Sequence, residues 1–422
     1  MKTARHYGIG LLLLLLCSPS WGAEVVTLAN GLRILTETRN DTPLVAIQMW
    51  VRAGSREEQQ GEEGSAHFVE HLVFKGTTTR KTGETDLELE QLGGVWKAAT
   101  GPDYARYETR ITQEALENTL ALLADFLRNA TLPAGEMEKE RPVILDELAQ
   151  HRTQNQNLLL DLFYLAFAPT AYRHSPGGTP DAILSLKRDT LLNFYRRNYA
   201  PANCTLVLVG NIEPKQAIAF AAKRFGDWKP ASATLPAMPT FPLVASRYFD
   251  VAGQTETESL ALGYLIPAQP DASQSLPTQW VKQMLQTRLR AKIAPLEAIF
   301  QYTPRLGSNF MLITAHARTS RELEVLSQLK SLVLAECEGL VKRPPTKLEI
   351  EIARSHLQTE EALERETSLG VASQIGYSAL LQIAPQKPET RPTPQDIQKF
   401  VQDYLTPEQL FALHLLAKGQ QP

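Results

Sequence analysis

Two histidines and a glutamate lie close together in the run His67-Phe68-Val69-Glu70-His71. On an α-helix, positions i, i+3 and i+4 share one face, so the two imidazoles and the carboxylate converge within about one turn. Neutral imidazole nitrogens are favoured ligands of Zn²⁺, and a carboxylate beside the metal can act as a general base. The spacing therefore predicts a catalytic zinc centre, which also needs a third protein ligand and an open coordination position.

The residues around this motif help to distinguish a metal centre from the simpler alternative, a solvated polar helix face. The flanking positions are apolar: Ala66, Phe68, Val69, Leu72, Val73 and Phe74. A helix with these flanks is expected in the protein core. Two histidines and a glutamate in such a helix need a compensating partner. A metal ion would be such a partner, so the pattern favours the metal centre.

A second segment, from Glu140 to Glu147, offers candidates for the third ligand. These two glutamates are two helical turns apart and therefore share a helix face. Apolar residues accompany them, at Ile144, Leu145 and Leu148. For Glu140 taken alone, an exposed helix carboxylate remains an open alternative.

Here the chain resembles the inverted-zincin metallopeptidases of the pitrilysin, insulin-degrading-enzyme and mitochondrial-processing-peptidase family. The main matches are the segments from Gly64 to Thr77 and from Glu140 to Glu147. Shorter matches are Gly93-Gly94, Ala98, Thr100, Phe194-Tyr195, Tyr199-Ala200-Pro201 and Gly210-Asn211. The resemblance extends over the mature chain, strongly in its first half and weakly in its second.

The resemblance implies a role for each of five residues. His67, His71 and Glu147 would be the ligands of one Zn²⁺ ion per chain. Glu70 would be the general base that activates the attacking water. Glu140 matches a catalytic-site carboxylate of the family that orients a ligand or supports the metal site.

The resemblance also implies a substrate-binding strand after Gly93-Gly94. In this family a peptide substrate adds to the edge of that strand as a further β-strand, which assigns Lys97 and Ala98 to substrate binding. The family usually has Asn where this chain has Lys97. A lysine there could favour acidic substrate positions, whereas a solvated lysine on a strand edge is the simpler interpretation.

The second half departs from the family around Arg290. Family members that complete the site have a Tyr seven residues after this Arg, and both side chains contact the substrate and its tetrahedral intermediate. Here Glu297 takes the place of the Tyr and Pro295 the place of a Gly. A carboxylate is unfavourable beside a developing oxyanion. We therefore expect a heterodimer in which a homologous partner subunit supplies the Arg and Tyr, with a homodimer as the alternative.

The remaining pattern indicates an α+β fold. The dipeptide Asn30-Gly31 between β-rich runs predicts a hairpin, and Val95–Arg110 has a strand-like pattern. Helices are predicted over Glu114–Asn129, Ala134–Thr153 and Thr346–Leu369. Blocks of strands and helices are typical of mainly antiparallel sheets covered by helices.

Two homologous αβ domains are expected, which the family resemblance arranges as half of a clamshell. The predicted boundaries are a catalytic domain at 24–228, a Pro-rich linker at 229–245 and a C-terminal domain at 246–422. A weak repeat supports the duplication, because Phe194 precedes Pro201 by as many positions as Phe400 precedes Pro407. That repeat also fits the simpler view that helix–turn–strand endings are common.

Residues 1–23 have the pattern of a secretory signal peptide. Lys2 and Arg5 form a positively charged start, and the following apolar run is too short to span a membrane as a helix. A retained anchor and a lipid on Cys17 are less favoured alternatives. We therefore expect a periplasmic or secreted mature chain with no stable membrane anchor.

Composition narrows the class of protein further. The 422 residues are 43% hydrophobic and 21% charged, which is typical of globular proteins. The net charge of −3 gives no indication of nucleic-acid binding. Cys204 and Cys337 remain after the signal peptide, and two buried, unpaired thiols are favoured over a disulfide.

Together these features predict a secreted zinc metalloendopeptidase, as the catalytic subunit of an assembly that hydrolyses unfolded peptides in a closed chamber. The alternative is a non-enzymatic, metal-stabilised peptide-binding or structural subunit. Lys97 and Glu297 favour that alternative. The simultaneous presence of both histidines with Glu70 and Glu147 favours the enzyme.

Overall fold

The structure is a computed structural model of the chain. It describes residues 23–153, 155–167, 170–229, 247–253, 256–267, 272–306, 308–382 and 391–421. The predicted signal peptide, apart from Ala23, and the predicted linker, apart from Lys229, lie outside the described residues. Within the described ranges, no helix is both long enough and apolar enough to cross a membrane.

The first half forms a six-stranded sheet. Its strands are β1 (Glu24–Thr27), β2 (Arg33–Thr38), β3 (Leu44–Val51), β4 (Lys97–Thr100), β5 (Ala105–Thr112) and β6 (Cys204–Gly210). Their order across the sheet is β1-β2-β6-β3-β5-β4, and β2 and β6 form the one parallel pair. The predicted Asn30-Gly31 turn joins β1 to β2, and Gly31 has the φ of 93° that favours glycine there.

Eight helices of the first half are described, and several of them pack against this sheet. They are α1 (Ser65–Leu72), α2 (Glu84–Gln91), α3 (Leu116–Asn129), α4 (Ala134–Thr153), α5 (Asn155–Phe167), α6 (Pro180–Ser185), α7 (Arg188–Asn198) and α8 (Pro214–Phe225). Phe68 of α1, Leu120 of α3 and Phe194 of α7 are fully buried in one core with the strands. This core fixes α1 relative to the sheet.

The second half forms a five-stranded sheet. Its strands are β7 (Arg247–Ala252), β8 (Glu258–Pro267), β9 (Ala298–Thr303), β10 (Ser308–Ala317) and β11 (Phe411–Leu416). Their order is β7-β11-β8-β10-β9, and β7 and β11 are parallel. The helices are α9 (Ala272–Ile293), α10 (Ser320–Lys342), α11 (Lys347–Glu364), α12 (Ser368–Leu380) and α13 (Pro394–Tyr404).

The two sheets have the same topology. Without β1, the order β2-β6-β3-β5-β4 corresponds strand for strand to β7-β11-β8-β10-β9, and the parallel pair is the same. Pro201 and Pro407 each begin a short 3₁₀ turn directly before the equivalent strands β6 and β11. The prediction of two homologous αβ domains, each with a mainly antiparallel sheet covered by helices, is therefore confirmed.

Each half contributes one helix to the sheet of the other half. Helix α5 packs on β8 and β11, and helix α12 packs on β3 and β6. Both contacts form over a glycine: Phe163 lies against Gly263, and Trp50 lies against Gly376. A Cβ at either glycine would overlap the aromatic ring. The two halves are therefore joined by shared apolar cores.

Two predicted elements differ in the structure. The strand predicted over Val95–Arg110 is divided into β4 and β5, because Gly101-Pro102 begins a turn and Pro lacks the N–H that a continuing ladder requires. The helix predicted over Thr346–Leu369 ends at Glu364. The next helix, α12, begins at Ser368, because the Thr367 side chain accepts a hydrogen bond from the Gly370 N–H and caps the start of this helix.

Both remaining cysteines are buried, free thiols, as predicted. Cys204 lies in the first core and Cys337 in the second. Burial raises the pKa of both thiols, to about 12 for Cys337. They are therefore packing residues and poor metal ligands.

Candidate metal centre

Helix α1 is a two-turn helix held by its apolar residues. Ala66, Phe68, Val69 and Leu72 are fully buried. The helix contacts both α4 and the edge strand β4. His67, Glu70 and His71 lie between these two elements, as expected for a polar face on a core helix.

The predicted metal ligands come together around one point. The Nε2 atoms of His67 and His71 are 3.2 Å apart, and Glu147 Oε2 lies 3.5 Å from each of them. Ligand atoms about 2.0–2.1 Å from a tetrahedral zinc are ~3.4 Å from one another. The three atoms therefore fit a zinc ion. Because 47% of the Glu147 side chain is exposed, this group remains accessible from solvent.

His67 is in the form that binds a metal. Burial, with the neighbouring His71 imidazole as the second cause, lowers the pKa of His67 to about 4. The ring is therefore neutral near pH 7, and a lone pair is free on one nitrogen. Its Nδ1 atom is buried and has no hydrogen-bond partner among the described residues.

His71 is oriented by Glu140. Its Nδ1 atom lies 3.1 Å from Glu140 Oε2, and the Lys75 ammonium lies 2.7 Å from Glu140 Oε1. Burial raises the pKa of Glu140, but the hydrogen bonds from Lys75 and His71 outweigh it and keep the pKa below its ordinary value. An ionised Glu140 accepts a hydrogen bond from the His71 Nδ1–H group and so directs the Nε2 lone pair of His71 at the candidate metal position.

Glu70 lies almost completely buried on the same helix. Its Oε2 atom accepts a hydrogen bond from Thr100 Oγ1 at 2.5 Å. Burial raises the pKa of Glu70, while the Thr100 hydrogen bond and His71 oppose this shift and the charge of Glu147 adds to it. A carboxylate with a raised pKa is a better proton acceptor, as a general base requires.

The predicted substrate strand forms one edge of the first sheet. β4 pairs with β5, and the structure shows no partner on its other side among the described residues. Thr100 holds Glu70, so Ala98, two residues earlier, points to the same face as Thr100. Lys97 points to the opposite face, where it is exposed and lies opposite Glu108. Ala98 therefore lies on the face of the candidate metal centre, and Lys97 does not.

The segment after α1 is fixed by Asp125 of α3. Its carboxylate accepts hydrogen bonds from Thr77 Oγ1 at 2.7 Å, Thr79 Oγ1 at 3.0 Å and Arg80 Nη1 at 2.8 Å, and from Asn129 Nδ2 at 2.8 Å. Burial raises the pKa of Asp125, but these hydrogen bonds outweigh it and lower the pKa. These hydrogen bonds attach the segment that follows α1 to helix α3.

Arg290 and Glu297 lie in the second half. Arg290 is in the last turn of α9, and Glu297 is in the turn before β9. Both are exposed. An exposed carboxylate at the position that family resemblance gives to Tyr is consistent with a site that this half does not complete alone.

Lys75 and Thr100 both contact residues of the candidate centre, and the sequence pattern predicts a role for neither of them. Lys75 lies three residues after the end of α1, so a basic residue shortly after the motif is a usable signal. Thr100 was matched to the family only as a residue type, and its contact with Glu70 depends on how β4 packs on α1.

Comparison with known proteins identifies the family of the chain. The family described as Insulinase (Peptidase family M16) matches residues 33–176, and the family described as Peptidase M16 inactive domain matches residues 185–357. The two matches follow one another along the chain, and the second begins within the first structural half, before α7 and β6. The chain belongs to peptidase family M16.

Individual relatives show how far the similarity extends. An uncharacterized zinc protease of Rickettsia bellii is 35% identical over 209 residues, which are 48% of this chain and 50% of that protein. The alignments with the Rickettsia zinc proteases thus span about half the length of these relatives. The mitochondrial-processing peptidase subunit beta of Lentinula edodes is 28% identical over 375 residues, 84% of this chain and 80% of that protein.

A solved structure has the same fold. A protease from Helicobacter pylori superposes with a TM-score of 0.83 at 23% identity, and the match covers 94% of this chain and 100% of that chain. This likeness supports the fold assignment. At 23% identity it supports no statement about activity.

Proposed function

We propose that this chain is a zinc-dependent metalloendopeptidase that hydrolyses peptide bonds of unfolded peptides. The observation that carries the proposal is the set of three ligand atoms, 3.2–3.5 Å apart, with the buried Glu70 carboxylate on the same helix. Membership of family M16, with relatives named zinc proteases, supports it.

Each residue of the candidate centre has a proposed role. His67, His71 and Glu147 would hold one zinc ion. A bound zinc supplies an activated water at neutral pH and polarises the scissile carbonyl. Glu70 takes the proton of the attacking water and returns it to the leaving amine. Glu140 and Lys75 keep His71 in its binding tautomer.

The free edge of β4 is the proposed binding surface for the substrate. Its unpaired N–H and C=O groups can pair with an extended peptide, which would then lie as an added strand beside α1. Ala98, on the face of the centre, leaves room for the scissile bond near Glu70. We assign the exposed Lys97 a contact with the outer side of the peptide.

We further propose that the chain works with a partner subunit that supplies an Arg and a Tyr. Glu297, which takes the place of the family's Tyr, supports this arrangement, as does a relative that is itself named as a subunit. The partner would be homologous and would close a chamber around the substrate. A homodimer remains the alternative assembly.

Export to the periplasm or the medium is proposed from residues 1–23 alone. Their charge and apolar pattern is that of a signal peptide. N-terminal sequencing of the mature protein checks this proposal, because cleavage near Ala23 is expected. An intact N-terminus in the exported fraction would contradict it.

Peptide hydrolysis by the zinc-loaded chain tests the proposed function. The substrate is a mixed library of unfolded peptides, and the Glu70→Gln variant is the blank. We expect zinc-dependent cleavage that the blank lacks, although the blank binds zinc. If the chain alone is inactive, activity should appear on adding a homologous companion chain. Equal turnover by the wild type and the blank would contradict the role of Glu70.

A further inference from the structure

The N-terminus of α1 has no cap from its own sequence. The residue before the helix is Gly64, which has no side chain, and its φ of 90° is favoured by glycine. The first backbone N–H groups of a helix have no partner within the helix and need one from elsewhere. In α1 this matters because His67 lies in the first of only two turns.

Glu58 provides the missing cap from the preceding loop. Its Oε2 atom accepts a hydrogen bond from the Gly64 N–H at 3.0 Å, and its Oε1 atom accepts one from the Ala66 N–H at 2.8 Å. The side chain has no exposed surface. Both carboxyl oxygens thus accept from backbone N–H groups at the start of the helix, where these groups would otherwise lack a partner. The contact with Ala66 fixes the Ser65–Ala66 peptide unit, one unit before that of His67.

The surroundings of Glu58 leave little freedom for an alternative cap. His174 Nδ1 lies 3.6 Å from Glu58 Oε2. Gly64 itself packs closely against the loop at Gly177, since a Cβ on Gly64 would lie 3.0 Å from the Gly177 carbonyl oxygen and 2.6 Å from Ile183 Cδ1. Little room is therefore left for water to take over the two hydrogen bonds if the carboxylate is removed.

We propose that Glu58 is a positioning residue for the candidate metal centre, and this inference rests on the proposed zinc site. Its carboxylate holds the first turn of α1 in place, so that His67 Nε2 stays close to His71 Nε2 and Glu147. A two-turn helix has little stability of its own. Without the cap, the turn that contains His67 frays, while the second turn with His71 remains held by Glu140.

Glu62 offers a matched control in the same loop. It is also a buried carboxylate, and it pairs with Arg197, with Glu62 Oε2 2.6 Å from Arg197 Nη2. Its side chain accepts from the Gln59 N–H and makes no contact with the N–H groups of α1. Glu62→Gln therefore removes a buried charge without removing the helix cap.

The experiment compares Glu58→Gln with Glu62→Gln in the full chain. Zinc affinity is measured by competition with a chromogenic chelator, well below the unfolding temperature. We expect Glu58→Gln to weaken zinc binding about tenfold or more, the usual effect of removing a group that supports a ligand, and Glu62→Gln to change it less than about twofold. Hydrogen exchange of the metal-free protein should be faster over 64–68 in Glu58→Gln alone.

Equal zinc affinities and equal exchange in the two variants would overturn the proposal. If Glu58→Gln does not fold, Glu58→Asp keeps the carboxyl group but is one methylene shorter, and the same comparison applies to it. A tenfold loss in Glu58→Asp supports the proposal, and unchanged affinity overturns it. A wild-type chain that binds zinc but cleaves no peptide would contradict the proposed function and leave this comparison valid.

Discussion

Replacement of Thr100 by Val tests how the general base is held. The Thr100 hydroxyl donates to Glu70 Oε2 at 2.5 Å, and the Glu70 side chain is almost completely buried. Valine has nearly the same shape but cannot donate, so Glu70 loses this partner without a change in volume. The two side chains come from different elements, β4 and α1, so the bond also ties the proposed substrate strand to the catalytic helix.

The expected size of the effect follows from the kind of hydrogen bond. Because the Thr100 hydrogen bond lowers the pKa of Glu70, its loss leaves a more basic carboxylate, and the expected loss of activity comes from the orientation of that carboxylate. A hydrogen bond to a charged group contributes about 1.5–3 kcal/mol, so complete loss of this orientation corresponds to a fall of about 10- to 150-fold in kcat. Zinc affinity should change less than about twofold, because the Thr100 hydroxyl bonds to Glu70 and to none of the three ligand atoms. The prediction therefore separates catalysis from metal binding.

The assay is peptide hydrolysis by the zinc-loaded protein, with Thr109→Val as the control. Thr109 is a buried threonine of the neighbouring strand β5, and its hydroxyl has no hydrogen-bond partner among the described residues. A Thr100→Val protein as active as the Thr109→Val control would refute this reasoning.

Three further predictions concern metal binding and stability. Glu140→Gln should weaken zinc binding about 10- to 100-fold in chelator competition; unchanged affinity would remove Glu140 from the centre. Gly376→Ala should lower the free energy of unfolding by about 1–3 kcal/mol, because the added Cβ would overlap Trp50. Gly339→Ala is the control and should not lower it, because the nearest neighbour of its Cβ lies 3.8 Å away. Equal unfolding midpoints of the two variants in denaturant would contradict this prediction. Asp125→Asn should destabilise the protein by about 1–3 kcal/mol at pH 7. The folded-state pKa of Asp125 lies below its ordinary 3.8. The stabilisation by the Asp125 carboxylate is therefore complete above about pH 3.8 and is lost as the pH falls through the lowered pKa. A difference in stability between wild type and Asp125→Asn that persists at low pH would contradict this prediction.

The residues of the candidate centre that lie on one helix were predictable, because their spacing along the sequence determines which face of the helix they share. The spacing of His67, Glu70 and His71 places them on one helix face whatever the rest of the fold, and helix α4 has the predicted bounds, Ala134–Thr153. Thr100 and Glu58 were not predicted as parts of the centre. Their roles depend on contacts between separate elements, which periodicity and propensity do not contain.

The exchange of helices between the two halves was not predicted either. The segment of α5 contains the run Leu158-Leu159-Leu160 and a similar apolar run further on, so its apolar residues are not confined to one face and indicate burial without indicating against what. The helix predicted over Thr346–Leu369 covers α11 and only the first two residues of α12, so α12 was not predicted as a separate helix. Gly263 and Gly376 mark the exchange, but a glycine in a strand or helix pattern has several explanations.

The coordination of zinc in the purified chain tests the central claim most directly. X-ray absorption at the zinc edge, on protein loaded with one equivalent, reports the atoms bound to the metal. We expect nitrogen and oxygen ligands at about 2.0–2.1 Å, with an imidazole signature from two histidines and no sulfur, and loss of one oxygen ligand in Glu147→Gln. A sulfur ligand at about 2.3 Å, or a spectrum that is unchanged in both His67→Ala and Glu147→Gln, would contradict the assignment of His67, His71 and Glu147 as the zinc ligands.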